Sequence, residues 1–446
     1  FHDLHFDDAL IQVQRDAKGN WNIAGVKLDQ SSAGYKFGNW LFEQDRLEIK
    51  NAKINWLDQR FQSSQYSLDI ESLTLKNSWF KHAIELNVKT PWHSNTALLK
   101  ADFRHSIFGN SGNWKDWIGR LEWQINELNI AKVNQLFDSP VNVVSGQLNS
   151  QGRTFIDHGV LDGGATNLSA QNLHIEWPRL GAPLKIAKVD VKLEQETSGK
   201  KMSISAPLLK WQVDQKSSPK ELNGISIYWD MAANIDAITH AGVKANEIDI
   251  YLVEQLAKQF PLPKDITEFI KQYQPTGMLK NLDANWHAQA SKLPFNIKIP
   301  GFNESHYKLS FDFEKAYLKP ETKGLLSIVN LSGRLYATEL GGEISLDSEN
   351  TFFTLPQVLE NDNLALDLIK GKIKWLKKDA GLEYQISKLK LKNDSINLIA
   401  DANYKAKSPK SPADLFLKAD IQEANVKNLT HYFPLGMSKV TRDYLN

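Results

Sequence analysis

A pattern early in the chain returns far along it. Lys53-Ile54-Asn55-Trp56-Leu57 recurs as Lys372-Ile373-Lys374-Trp375-Leu376. Ile70-Glu71-Ser72-Leu73-Thr74-Leu75-Lys76-Asn77 recurs as Ile386-Ser387-Lys388-Leu389-Lys390-Leu391-Lys392-Asn393, and Glu127-Leu128-Asn129-Ile130 as Glu423-Ala424-Asn425-Val426. The three matches keep their order. Recurring segments of this kind mark an extended array, in which each unit leaves an apolar face for something else to cover.

Alternation with a period of two dominates between and within these segments. Ala9, Ile11 and Val13 alternate with polar neighbours, Asp16 to Asn20 supplies a turn, and Trp21 and Ile23 begin a return strand. The same rhythm places Ile54 with Trp56, Ile84 with Leu86, and Leu121 with Trp123 and Ile125 on single faces. It does so again for Leu282 with Trp286 and for Leu309 with Phe311. One apolar and one polar face is the pattern of an antiparallel sheet wetted on one side. Lys and Glu crowd the polar face, which discourages edge-to-edge pairing.

The alternation slips at one repeated place. Leu68 and Ile70 share a parity while Leu73 and Leu75 take the other; Ile386 against Leu389 and Leu391 repeats the slip. A shift of one residue inverts a strand's faces, so a bulge is expected to absorb it and bend the strand.

Helical patterns are few. Asn39 to Gln44 reads as a short turn, and Val133, Leu136 and Phe137 as a small amphipathic piece. Asp249 to Phe260 carries a stripe of Leu252, Val253, Leu256 and Phe260. Pro261 and Pro263 end it, and Lys264 to Tyr273 starts a second helix with Ile266, Phe269, Ile270 and Tyr273 inward. Phe433-Pro434-Leu435 repeats Phe260-Pro261-Leu262, so the end of the chain reads as the same helix pair begun again. Ser31 to Lys36, Thr90 to Thr96, Gly109 to Lys115, Ser198 to Lys201, Lys216 to Lys220 and Lys405 to Pro412 read as loops, none of them a domain linker.

Composition narrows the function classes. A net charge of +1 over 446 residues lacks the basic footprint of a nucleic-acid binder. The absence of cysteine excludes disulfides, thiolate catalysis and cysteine zinc sites. No apolar run reaches the roughly 20 residues that span a bilayer. Phe1 opens in a strand-like approach without an initiator Met, and Asn446 stops inside a helical pattern. The chain therefore reads as a piece of a longer protein.

Catalytic motifs are missing. There is no phosphate loop, zincin helix or nucleophile elbow. His2, Asp3, His5, Asp7 and Asp8 make a poor metal cluster at a cut terminus, where a rigid supporting shell is lacking. Asp162-Gly163-Gly164 and Gly341-Gly342-Glu343 read as hairpin turns. No metal and no cofactor is expected. Thirteen Trp suggest sugar stacking, but Trp56, Trp123, Trp286 and Trp375 sit on the apolar parity, which favours burial or lipid contact.

Asn39-Trp40-Leu41, followed by Arg46-Leu47-Glu48-Ile49-Lys50-Asn51-Ala52-Lys53-Ile54-Asn55-Trp56-Leu57-Asp58, resembles an early signature of the AsmA-like proteins of Gram-negative bacteria, in particular their YhdP branch. Leu331-Ser332-Gly333-Arg334-Leu335 with Gly341-Gly342-Glu343-Ile344-Ser345-Leu346-Asp347-Ser348 resembles a later hairpin of that branch, and Tyr432 to Leu445 its helical segment. No family pattern covers Lys201 to Lys220.

The resemblance implies an all-β fold with short helical insertions, a long curved antiparallel sheet forming a taco-like repeating groove. One continuous groove is expected over 1–446, with a helical insertion at 247–275 and a second, truncated helical segment at 425–446. It further implies a periplasmic location, an inner-membrane anchor in the parent, and passive movement of phospholipid between inner and outer membranes. The membranes would be met through regions outside this chain, and protein partners are left open. The family offers no catalytic residues to carry over, so no enzymatic activity is expected.

On that reading the groove-lining candidates are Ile54, Trp56, Leu73, Leu75, Ile84, Leu86, Leu121, Trp123 and Ile125, then Leu282, Trp286, Leu309, Phe311, Leu389 and Leu391. For any single one of them a place in an ordinary core stands level with a place in a groove. The competing readings are a structural or adhesive β-repeat protein with a closed core and, last, a polysaccharide-active β-helix enzyme, which needs an acid cluster that the sequence lacks.

Overall fold

A computed structural model describes residues 2–18, 20–28, 32–59, 64–107, 109–136, 142–176, 183–231, 238–251, 264–289, 306–320, 322, 324–359, 361–378, 381–405, 414–425, 428, 432 and 435. The fold is all-β, and the chain divides into two compact units, Phe1–Leu222 and Asn223–Asn446.

In the first unit, strands β1 (Asp3–Asp7), β2 (Leu10–Arg15), β3 (Trp21–Ile23) and β4 (Val26–Leu28) precede helix α1 (Ser32–Glu43). Then come β5 (Arg46–Asp58), β6 (Ser64–Ser78), β7 (Lys81–Lys89), β8 (Ala97–Arg104) and β9 (Ile118–Asn129). Helix α2 (Ile130–Asn134), β10 (Asn142–Asp157), β11 (Val160–Glu176), β12 (Leu184–Ser198) and β13 (Lys201–Gln212) complete it. From β5 to β13 each strand pairs antiparallel with its sequence neighbour.

The start of the sheet departs from the antiparallel expectation. β1 and β2 lie end to end along β5 and run parallel to it, Leu4 against Leu47 and Val13 against Trp56. Alternation reports faces and is silent on direction. Here the β3–β4 hairpin and α1 form a connection long enough to bring the chain back in the same sense.

The second unit carries most of β14 (Lys220–Asp230), then β15 (Ile238–Asp249), helix α3 (Lys264–Tyr273), β16 (Thr276–Gln289), β17 (Tyr307–Leu318) and β18 (Ser327–Thr338). It continues through β19 (Gly341–Thr354), β20 (Asn363–Lys378), β21 (Gly381–Lys392), β22 (Ile396–Lys405) and β23 (Asp414–Ala424). From β14 to β23 successive strands pair antiparallel.

Bulges sit where the alternation slips. The break between β1 and β2 at Asp8 (φ 55°) falls beside Asn51 of β5 (φ 52°), and on β6 the register with β7 shifts between Ile70 and Ser72. In the second unit the shift falls between Ile386 and Leu389, with Lys388 at φ 50°. Neighbouring strands hold these residues: Asn51 Nδ2 donates to Asp7 Oδ1 at 3.1 Å, and the Lys388 N–H to Asp401 Oδ1 at 2.9 Å. Each bulge restores parity, so Leu47, Ile49, Ala52 and Ile54 stay on one face although their spacing is uneven. The added residue also bends its strand.

The sequence repeat recurs in three dimensions. Trp56 faces Tyr66 across β5–β6, and Trp375 faces Tyr384 across β20–β21. The N–H of Asn129, which caps α2, donates to Trp92 O, and the N–H of Asn425 donates to Ser395 O.

Several local expectations need correction. Asn39 to Glu43 is the end of a twelve-residue helix, α1, whose first turns are Ser32 to Lys36, a stretch expected to be loop. Gly34 and Gly38 hide it from propensity; Leu41 and Phe42 hold it by packing on the sheet. Asp162-Gly163-Gly164 lies inside β11, with its turn formed by His158 and Gly159, both at positive φ, and Gly341-Gly342-Glu343 likewise opens β19, with its turn formed by Glu339 and Leu340. In α3, Ile270 is buried as expected, but Phe269 is largely exposed. The stretch from Leu252 to Pro263 and most of the segment after Asn425 lie outside the described residues.

Candidate functional site

The register sorts the side chains of each unit onto two faces of opposite chemistry. On one face of the first unit, Leu75 meets Ile84, Leu73 meets Leu86, Leu86 meets Leu99, and Leu99 meets Trp123. The opposite face is a ladder of ion pairs across and along strands: Lys53–Asp69 at 3.8 Å, Lys89–Glu71 at 2.5 Å, Lys100–Glu85 at 3.3 Å and Arg120–Asp102 at 3.0 Å. The hydrogen bond from the Lys89 ammonium holds the Glu71 carboxyl below the usual carboxylate range.

The second unit has the same two faces. Ala241 meets Trp286, Ala284 meets Leu309, Phe311 meets Leu335, and Ile344 meets Ile373. On the wet side Lys280–Glu314 at 2.7 Å, Lys370–Asp347 at 2.6 Å and Lys372–Glu343 at 2.9 Å repeat the ladder. Hydrogen bonding to Arg334 holds the Asp312 carboxyl below the usual carboxylate range, and bonding to Lys372 does the same for Glu343.

All fifteen candidate positions fall on the apolar faces, and the structure divides them. Leu75 is 3% exposed and belongs to a buried cluster with Leu47, Ile49, Ala52 and Ile70; Ile54, Leu73, Ile84 and Leu86 pack around that cluster under α1. Phe311, Leu389 and Leu391 pack around a second cluster of Phe313, Leu346, Leu366 and Ile369. Trp56, Leu121, Trp123 and Ile125 in the first unit, and Leu282, Trp286 and Leu309 in the second, belong to neither cluster and are only half-buried. Further along the second unit's apolar face, Leu415 and Leu417 on β23 are more than half exposed.

On the apolar faces the side chains outside the two clusters, among them Trp56, Leu121, Trp123 and Ile125 in the first unit, keep part of their surface accessible.

Glycines under the large rings went unread in the sequence. Trp123 lies on Gly152 of β10, where an added Cβ would stand 2.5 Å from its ring, and Trp375 lies in the same way on Gly342. A glycine inside a strand was the available signal, because it marks close approach of another group. Polar side chains on the apolar face are neutralised locally: Arg15 pairs with Asp58, which is 1% exposed, and the guanidinium stands 5.5 Å from the Trp56 ring centre.

The N-terminal acids are engaged elsewhere. His5 Nδ1 lies 3.0 Å from Glu48, and Asp7 accepts from Asn51. Among the described residues no group of three His, Asp or Glu is placed to hold a metal, and no helix is long and apolar enough to cross a membrane.

An open apolar sheet face backed by an ion-paired face is the geometry that comparison with known families meets. The YhdP protein family model matches residues 1–446. The chain belongs to the YhdP family. No curated protein and no solved structure gives a significant match. The AsmA-like resemblance read from Asn39 to Asp58 and from Tyr432 to Leu445 thus agrees with a match over the whole chain.

Proposed function

We propose that this YhdP-family chain is part of a passive conduit for phospholipids between the inner and outer membranes. The observation that carries the reading is the half-buried apolar face, open to solvent around Leu121, Trp123 and Ile125 and backed by paired charges.

Each acyl methylene left in water costs about 0.8 kcal/mol, so two ordinary chains face a barrier on the order of 25 kcal/mol to cross free solvent. A carrier removes that barrier by keeping the tails against apolar side chains while the headgroup stays wet. Directional polar contacts on the apolar face would trap a lipid in one place. The pairing of Arg15 with Asp58 fits that requirement, since it leaves no bare charge beside Trp56. The process needs neither a cofactor nor a reacting side chain, so we read the chain as a non-enzyme. The proposed setting is the periplasm, with the parent anchored in the inner membrane.

A closed-core β-repeat protein is the competing reading, and the partly accessible Trp56, Leu121 and Trp123, which lie outside the buried cluster of the first unit, speak against it. The test is native mass spectrometry of the purified chain. Co-purified phospholipid that is depleted by Trp123→Asp and Ile125→Asp, with unchanged circular dichroism, supports the conduit. A lipid-free wild-type chain, also after incubation with phospholipid vesicles, contradicts it.

A further inference from the structure

At one end of the first unit's sheet, three successive connections bring their tips together. They are the turn between β6 and β7, the loop between β8 and β9, and the hairpin between β10 and β11. The register fixes their adjacency: Ser78 faces Lys81, Lys81 faces Arg104, Arg104 faces Ile118, Ile118 faces Asp157, and Asp157 faces Val160. The tips are packed on one another. The N–H of Gly159 donates to Trp117 O at 3.2 Å, and its α-carbon lies so close to Trp114 that an added Cβ would stand 2.7 Å from the ring. Asn39 of α1 accepts from Ser111 Oγ and from the Gly112 N–H, which ties the middle loop to the helix.

These tips expose large apolar side chains. Trp79 is 88% exposed, Ile107 64% and Trp114 52%, with Val160 and Leu161 close to half. Below them, on the charged face of the sheet, lies an open basin of about 870 Å³ with Ala83, Ile118 and Phe155 on its floor. Lys76, Lys81 and Arg104 rim the basin and have no carboxylate partner among the described residues. The carboxylates there are mostly engaged: Asp102 holds Arg120 and Asp157 holds His158, leaving Asp162. Lys81 and Lys115 stand over the Phe80 and Trp114 rings at 5.7 and 5.9 Å.

We propose that this rim is a docking surface for a phospholipid bilayer bearing anionic headgroups. Tryptophan at the tips of a rigid platform suits the headgroup boundary, where an amphipathic ring finds both apolar and polar surroundings. Unpaired Lys and Arg just behind the tips reach lipid phosphates while their stems lie along the apolar floor. A protein partner of matching shape is the other occupant such a patch admits. The membrane is favoured because the apolar groups project from separate tips and the free charges beside them are mostly cationic, Lys76, Lys81 and Arg104 against Asp162. The proposal does not depend on lipid moving along the apolar face.

The experiment is flotation of the purified 446-residue chain with vesicles of phosphatidylethanolamine plus phosphatidylglycerol, and with vesicles of phosphatidylcholine alone. Vesicles carrying brominated lipid report quenching of tryptophan. The proposal expects binding to the anionic vesicles and bromine quenching that Trp79→Ser reduces. It also expects binding at least about tenfold weaker for the combined Trp79→Ser, Ile107→Ser, Lys81→Gln and Arg104→Gln variant. These side chains are exposed, so circular dichroism should be unchanged, and co-purified lipid should be unchanged too. Absence of flotation with either vesicle, or undiminished flotation of the variant, overturns the proposal. So does a concentration-dependent dimer in sedimentation equilibrium that the same variant abolishes, which would give the rim to a second copy of the chain.

Discussion

The indole of Trp123 lies over Gly152 on the adjacent strand and donates from Nε1 to Ser150 Oγ at 2.9 Å. The ring can occupy that place only because residue 152 has no Cβ. Gly152→Val is therefore expected to lift the ring, break its hydrogen bond and destabilise the first unit by about 1–3 kcal/mol. Urea denaturation followed by tryptophan fluorescence measures this. Gly342→Val should act in the same way on Trp375 in the second unit.

The two classes of apolar-face residue predict different responses to charge. Leu75 sits inside the cluster beneath α1, so Leu75→Asp buries an unpaired carboxylate or a proton taken up to neutralise it. It should cost several kcal/mol, on the order of 3–5, and lower the folded yield. Ile125 is half-buried outside that cluster, so Ile125→Asp should fold with a much smaller loss. Equal destabilisation of the two would show that the face around Ile125 is as closed as the core.

The bulges give a third prediction. Asn51 holds φ at 52°, and its side-chain amide reaches Asp7. Asn51→Gly should be nearly neutral, whereas Asn51→Val places a β-branched residue in the left-handed region and should cost about 1–3 kcal/mol. The comparison is read from urea midpoints. A valine variant as stable as the glycine variant would remove the conformational argument.

Stability should also depend on acid through His82. Burial, aided by the neighbouring His105, lowers its pKa to about 4, against about 6.5 in an unfolded chain. The folded state therefore holds the neutral ring, and protonation favours unfolding. This contribution is complete above about pH 6.5 and is lost as pH falls toward about 4, up to about 3 kcal/mol in all. The urea midpoint should fall between about pH 7.5 and about pH 5, and His82→Phe should flatten the dependence.

Much of the fold was legible because alternation is a local property. The parity of Leu121, Trp123 and Ile125 places them on the apolar face without knowledge of their neighbours. The slip between Ile70 and Leu73 marks its bulge for the same reason. Strand direction was hidden, because parallel β2 and antiparallel β6 present equal alternation to β5. Helix α1 was hidden because Leu41 and Phe42 gain their stability from the sheet rather than from local propensity. The division of the candidates into core and open face was hidden too: Leu75 and Trp123 have the same parity, and only the packing of α1 over one of them separates their roles.

The most direct test of the conduit places a photo-crosslinking amino acid at Ile125 and at Gln124, adjacent positions on opposite faces of β9. Irradiation in cells followed by mass spectrometry should yield phospholipid adducts at position 125 and few at position 124. Adducts equally frequent at both positions, or absent from position 125 in a normally folded chain, would contradict the account.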